Sequence, residues 1–502
     1  MKTLGDNRRQ RIAKFLGTQR LLLAICLVSL LVRMAFPLFL EARASGIAAE
    51  HAITAYSLVT GHGFHWDRGW YERVAALQQE QKRLIDLQAL SAPTNLALSE
   101  PSTDYPPGYP LLLAATFKIT GQARYIYLQV IALVVDAVVV PVLLYFLGSR
   151  LFNRRVGLTA AALYAIWLSF AYIAFEPRPE GLLPSVSLGL LVGLYLFLRQ
   201  GRWRWLALMA VLIAIGVNLR SDMLSTIPFM ALAVVVAGKG PFKLRVLKCV
   251  AIGAVLGAVA LTALVPYGLI QRERFGEFRF TTPALGVAAW QGIGEYPNRW
   301  GAVLSDVHMA EMLASHGLES NTPAGERFLL AKVKDAFLGD PVWFLGSFAK
   351  RAQRIVLMQY NWGVPQAVKN ALDVPGERVS AHCQTWSVLP GGSVTCWGLA
   401  LAYIGTARSL ILLDWSLWIG AIVGVIIFRK RPYVWLLLVL PLARLIPFSF
   451  IHVEPRYILY GMGPSLVFLA ALLVSGWQSS AKVLAVAWLA WSRRRRLTRD
   501  IR

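Results

Sequence analysis

Carboxylates and arginines recur at the borders of long apolar runs, where either type is costly to keep. Glu50 follows the first such run and opens Glu50-His51-Ala52-Ile53-Thr54-Ala55-Tyr56-Ser57-Leu58-Val59-Thr60-Gly61-His62-Gly63-Phe64. A free glutamate has a pKa of about 4.3, so this one is expected to be ionised at neutral pH and able to accept a proton. On composition alone, a solvated loop carboxylate or a helix-capping acid is the simpler reading. Glu180, in Glu176-Pro177-Arg178-Pro179-Glu180, is the second acid. It heads an apolar run, where it can take part in chemistry or complement a helix dipole.

The arginines suit a different task, since a guanidinium meets phosphate oxygens with two parallel hydrogen bonds. Arg220, in Asn218-Leu219-Arg220-Ser221-Asp222, interrupts two apolar runs, and Arg456 lies in His452-Val453-Glu454-Pro455-Arg456-Tyr457. With Arg178 they are the candidate phosphate ligands. Arg220 reads otherwise as a salt bridge to Asp222 or a snorkelling residue, and Arg178 as a headgroup anchor. Arg33 and Arg444 lie deeper in apolar runs and are expected to pair internally. Tyr105 and Tyr109, in Tyr105-Pro106-Pro107-Gly108-Tyr109-Pro110, join His452 and Tyr457 as candidate substrate contacts.

The elements that must position these residues are membrane helices. The 502-residue chain is 56% hydrophobic and only 16% charged, too little polar surface for a soluble protein. Apolar runs occur near 21–40, 125–148, 156–174, 181–198, 205–219, 223–238, 246–269, 407–428, 433–450 and 456–476. The expected fold is therefore an all-α polytopic membrane protein of about ten transmembrane helices. The net charge of +24 comes in short clusters between the runs. Arg150/Arg154/Arg155, Arg199/Arg202/Arg204, Lys239/Lys243/Arg245/Lys248, Arg429/Lys430/Arg431 and Arg493–Arg496 all fall on one side, which the positive-inside rule makes the cytoplasm, with both termini.

Two long segments then lie outside, 41–124 and roughly 271–405. Residues 72–92 read as an amphipathic or solvated helix, and 340–358 as an interfacial helix with aromatics on one face. The division expected is an N-terminal transmembrane module (1–270) containing the first outer loop, a large outer loop (271–405), and C-terminal helices with a basic tail (406–502).

The run from Glu50 to Phe64, followed by Tyr-Pro-Pro-Gly-Tyr-Pro, resembles the first outer loop of the GT-C membrane glycosyltransferases, the superfamily of protein O-mannosyltransferases and lipid A aminoarabinose transferases. Arg456-Tyr457 is similar to the Arg-Tyr element of many bacterial members. The resemblance implies an enzyme that moves a sugar from a polyprenyl-phosphate donor to a lipid, glycan or protein acceptor. Transfer would occur at the outer face of the inner membrane, with inversion. It implies Glu50 as base and Arg220 and Arg456 as holders of the departing phosphate. Many members carry Asp or an Asp-Glu pair where this chain has Glu50, which leaves Glu41 upstream as the alternative base, behind Glu50 because the spacing of Glu50 to Ala55, Leu58 and Gly61 fits better.

No cofactor and no protein-bound metal are expected: His62 and His65 form no ligand set, and no Cys/His spacing matches zinc. Gly292-Ile293-Gly294-Glu295-Tyr296-Pro297-Asn298 can shape a site but is not a nucleotide fingerprint. The basic clusters engage anionic lipid rather than nucleic acid. Cys26 and Cys249 read as core residues, and Cys383 and Cys396 as a disulfide candidate pair. Two other classes compete: an O-antigen polymerase or ligase, which needs no first-loop carboxylate, and a lipid or solute transporter, whose charges would line the bilayer's depth.

Overall fold

The computed structural model describes residues 17–34, 46–66, 100–124, 126–175, 178–357, 414–452 and 454–479. The expected helix at 72–92, Glu41, Cys383, Cys396 and the basic tail lie outside the described residues. In order, the elements are α1 (Gly17–Met34), α2 (Gly46–Val59), β1 (His65–Trp66), β2 (Glu100–Pro101), α3 (Gly108–Thr120), α4 (Ile126–Leu151), α5 (Arg154–Ile166), α6 (Leu168–Phe175) and α7 (Leu183–Gln200). There follow α8 (Trp203–Leu219), α9 (Thr226–Ala237), α10 (Phe242–Phe275), α11 (Leu285–Gly294), α12 (Asp306–Ala314), α13 (Pro323–Gly339) and α14 (Pro341–Val356). The last set is α15 (Asp414–Phe428), α16 (Val439–Phe448), α17 (Pro455–Leu459) and α18 (Gly463–Ser479).

This is an all-α polytopic membrane protein. Among the described residues, four helices are long and apolar enough to cross a membrane: α1, α7, α10 and the stretch Tyr127–Leu151 of α4. Shorter apolar helices fall on five of the remaining runs, and the run near 156–174 is broken at Trp167 between α5 and α6. The break is anchored. The Trp167 indole donates to Asp414 Oδ1 at 2.7 Å, and the Ser169 hydroxyl donates to Asp414 Oδ2 at 2.8 Å.

Because lipid tails give helices no hydrophobic drive to associate, close approach must come from small residues. A Cβ on Gly148 would lie 2.7 Å from the Gly157 Cα, so α4 and α5 cross almost backbone to backbone. Arg33 pairs internally as expected, its Nε 2.5 Å from Asp136 Oδ2, with the Tyr164 hydroxyl donating to Asp136 Oδ1 at 2.5 Å. One fully buried ion pair thereby joins α1, α4 and α5. Cys26 is buried and Cys249 half-buried, both free.

Helices α11–α14 enclose a second, smaller core around Trp290, Met309, Leu313 and Leu329. The expected helix near 340–358 is there as α14. Trp343 and Phe344 turn inward onto this core, while Val342 and Leu345 face out. The region docks on the end of α16 through Phe348 and Phe450, whose rings are 4.4 Å apart. Arg351, buried, donates to the carbonyl oxygens of Ser449 (2.6 Å) and Gly292 (2.9 Å).

Candidate active site

Glu50 sits on α2, half-buried. Its surroundings are built by chain distant in sequence. β1 pairs with β2, His65 opposite Pro101, and Ser102 N–H donates to the Phe64 carbonyl at 3.0 Å. The Thr54 hydroxyl reaches Ser102 Oγ at 3.1 Å. The far end of α10 then grips the same segment. Tyr267 Oη and Gln271 Nε2 donate to the Thr103 carbonyl at 2.5 and 3.0 Å, and Arg274 donates to Thr103 Oγ1 at 2.7 Å. The Thr282 hydroxyl donates to the Asp104 carbonyl at 3.1 Å. This clamp holds Asp104 and Tyr105 against Glu50.

The result corrects the expectation of an ionised base. Burial, and then the like charge of Asp104, push Glu50 up from 4.5 to about 8, opposed by a hydrogen bond from Tyr105. Its Oε2 is buried without a hydrogen-bond partner. His51, next along α2, is buried between the rings of Tyr105 (4.7 Å) and Tyr109 (5.0 Å). Burial, with the charges of Arg178 and Arg220, brings it down to about 3, so it stays neutral.

Glu180 has the opposite environment. It is buried in the 3-10 turn Pro179–Gly181 that leads into α7. Its Oε1 accepts from Arg220 Nη1 at 2.5 Å and lies 3.7 Å from Arg456 Nε. Arg220 terminates α8, stacks 4.4 Å above the Tyr457 ring, and reaches Asp222 Oδ1 at 3.3 Å. The salt bridge to Asp222 thus coexists with the other contacts. Asp222 Oδ2 accepts from the Tyr460 hydroxyl at 2.9 Å and faces Arg444 at 3.6 Å. Arg444 also donates to Thr226 and Tyr460, so it too pairs internally. Arg456 forms its closest ion pair with Glu454, 2.6 Å away.

The structure therefore brings Glu50, Tyr105, Arg178, Glu180, Arg220, Arg456 and Tyr457 into one electrostatic neighbourhood. Tyr105 feels Glu50, Asp104, Tyr457 and Arg178; Glu454 feels Arg178, His452, Glu180 and Arg220. Tyr109 lies instead in the packed core. His452 turns toward the outer region, its Nδ1 2.7 Å from Glu295 Oε1. Glu295 is fully buried and also faces Arg354 (3.4 Å) and Arg351 (3.5 Å).

Sequence reasoning missed Asp104, although it directly precedes the Tyr-Pro-Pro-Gly-Tyr-Pro motif and could have been read with it. It also missed the Glu295 cluster, which had no signal beyond the glycine-rich stretch. Among the described residues no three His, Cys, Asp or Glu side chains are grouped to hold a metal ion.

The first outer segment is also fixed relative to Arg220. A Cβ on Gly108 would lie 2.5 Å from the Asn218 carbonyl oxygen, so only glycine lets α3 start there. Asn218 Nδ2 in turn donates to the Ala263 carbonyl of α10 at 3.1 Å.

A membrane helix bundle with its charged site at helix ends is the class these features define. Residues 104–270 match the family model described as dolichyl-phosphate-mannose-protein mannosyltransferase. The matched stretch opens on Asp104 and takes in Glu180 and Arg220, and it bears out the resemblance to the GT-C superfamily. No curated protein matches the chain. Among solved structures, the chain is similar to the Archaeoglobus fulgidus oligosaccharyltransferase complex with Zn and sulfate, at 14% identity and a TM-score of 0.48 over 93% of this chain and 50% of that one. It is likewise similar to the archaeal oligosaccharyltransferase AglB from Archaeoglobus fulgidus in complex with an inhibitory peptide and a dolichol-phosphate, at 15% identity and 0.48 over 94% and 52%. The chain thus spans about half the length of these solved proteins.

Proposed function

We propose that this chain is a GT-C-type glycosyltransferase that moves a sugar from a polyprenyl-phosphate donor to an acceptor hydroxyl on a lipid, glycan or protein, at the outer face of a bacterial inner membrane, with both termini cytoplasmic. The observation that carries the reading is a half-buried Glu50, pressed against Asp104, in one electrostatic neighbourhood with two arginines that converge on Glu180.

In this reading Glu50 accepts the proton of the acceptor hydroxyl. The acceptor oxygen forms its bond to the anomeric carbon as the bond from that carbon to the phosphate oxygen breaks. The electron pair leaves with the polyprenyl phosphate, whose charge Arg220 and Arg456 hold, with Arg178 nearby. A single displacement inverts the anomeric centre. A base with a pKa of about 8 is matched to work near neutral pH. Glu180 acts by holding the two arginines, Tyr105 by orienting Glu50, and Tyr457 by supporting Arg220. Tyr109 acts through His51, and His452 through Glu295.

The test is transfer of labelled sugar from a panel of polyprenyl-phosphate sugars, in membranes carrying wild type or Glu50→Gln at equal expression. Glutamine keeps the shape but takes no proton. The reading requires transfer by wild type and a loss of about a hundredfold or more in the variant. Equal transfer by both would move the base to Asp104 or Glu180. No transfer from any donor by wild type would favour the polymerase reading.

A further inference from the structure

The proposed function gives Arg456 to the departing phosphate, yet its guanidinium is already in contact with two carboxylates. Arg456 Nε lies 2.6 Å from Glu454 Oε2 and 3.7 Å from Glu180 Oε1, and Nη2 donates to the Tyr457 hydroxyl at 3.3 Å. Nε and Nη2 form one edge of the guanidinium, the kind of edge that meets two phosphate oxygens with parallel bonds. That edge is filled, but it is filled poorly. The Arg456 side chain is 7% exposed, and its Nε is buried without a hydrogen-bond partner despite the closeness of Glu454. Glu454 touches this nitrogen without making the bond the edge is shaped for.

The two carboxylates are not equivalent. Glu180 is 3% exposed and is shared with Arg220 at 2.5 Å, so it is a fixed part of the cluster. Glu454 is 35% exposed. Its backbone is pinned on both sides. The His452 N–H donates to the Ala288 carbonyl of α11 at 2.7 Å, and the Glu454 carbonyl accepts from the Tyr457 N–H at 2.9 Å. The Glu454 side chain caps no amide of α17. Movement of this carboxylate is therefore the swing of one side chain and leaves the helices in place. Burial raises Glu454 above its ordinary pKa, in spite of Arg178 and His452 nearby. The carboxylate thus regains hydration when it swings into water.

The charges of the cluster point the same way. Arg220 and Arg456 face Glu180 and Glu454, with Asp222 shared between Arg220 and Arg444. A donor phosphodiester brings a single negative charge, so exchanging it for one carboxylate leaves the balance unchanged. The phosphate monoester that remains after transfer carries about −1.5 to −2 at neutral pH. The same arginines would hold that product more firmly than the donor unless a competing anion returns.

We infer that Glu454 is a placeholder for the donor phosphate: it occupies Arg456 in the empty site, swings out when the phosphate arrives, and retakes Arg456 as polyprenyl phosphate departs. This role rests on the proposed function, and in it Glu454 is a positioning residue that acts through Arg456.

The test is calorimetric titration of the full chain in detergent with farnesyl phosphate, with farnesol as the control for its tail. A competitor lowers apparent affinity by the fraction of time it leaves the site free, so Glu454→Gln should bind farnesyl phosphate about tenfold more tightly than wild type. A merely structural role predicts the opposite sign, because losing a supporting contact weakens binding. The gain should vanish when Arg456→Ala is present in both chains, and a gain that survives there overturns the placeholder. An equal gain for farnesol overturns it as well. Binding by wild type with equal or weaker binding by Glu454→Gln overturns the placeholder and leaves the proposed function standing. Absence of binding by both chains overturns the two together. Should Glu454→Gln fail to assemble, Glu454→Asp takes its place. It keeps the charge but, on a pinned backbone, falls a methylene short of Nε. It too must tighten binding, and unchanged or weaker binding overturns the placeholder.

Discussion

Glu50 and Glu180 are the same residue type in opposite settings. Glu50 is pressed against another carboxylate, Asp104, and has one oxygen without a partner. Glu180 is more deeply buried yet faces two guanidinium groups. The first arrangement stores a proton at neutral pH; the second neutralises a carboxylate and fixes two arginines. Surroundings this different give the two carboxylates different roles. A proton acceptor belongs where ionisation is held back, and an anion-binding cluster where cations are already gathered.

The contrast can be broken most severely at Glu50, where Gln should remove about a hundredfold or more of the transfer rate. Substitution on the other side should differ in kind. Arg220→Ala should cost about ten- to a hundredfold, since bonds to a charged group contribute about 1.5–3 kcal/mol, and steady-state kinetics should assign much of the loss to donor KM. Arg220→Lys should not restore it, because an ammonium has no planar fork. Glu180→Gln should follow the Arg220 pattern rather than the Glu50 pattern.

Asp104→Asn sharpens the comparison with a smaller effect. It removes the like charge but not the burial, so the rising limb of the pH–rate profile, expected near 8 in wild type, should move to lower pH. A limb that stays in place would disconnect Asp104 from the base.

The smallest effect is on stability. Glu50 in the folded protein holds its proton more tightly than in the unfolded chain. Its contribution is complete below about 4.5 and is lost as pH rises through about 8. Glu50→Gln lacks this loss, so in detergent the variant should gain on wild type between those limits. The difference in unfolding temperature should be larger at pH 8.5 than at pH 5.

Much of this arrangement is legible along the chain. The apolar runs carry helices, Arg220 and Glu180 stand at helix ends as their position between runs implies, and Arg33 and Arg444 pair internally. What is not legible depends on contacts between remote segments. Asp104 reaches Glu50 only because two short strands and the far end of α10 close a long excursion. Glu295 finds His452 only through a docked outer region. The ionisation of Glu50 is likewise a property of its neighbours, which a reference pKa cannot contain. For α14 the helix with its aromatics on one face is legible, but the packing of Trp343 and Phe344 on the second core depends on contacts with α11–α13.

The contact at Gly108 has a further consequence when followed around. Gly108 rests on Asn218, Asn218 is tied to Ala263, and Tyr267, four residues further along α10, grips Thr103. Thr103 lies five residues before Gly108, which closes the circuit. Three members joined at three corners form a truss, whose shape cannot change without lengthening a side. Asp104 and Tyr105 ride on one member and Arg220 stands just beyond a corner, so the gap between them is set by triangulation, and a methyl group at position 108 would lengthen one side.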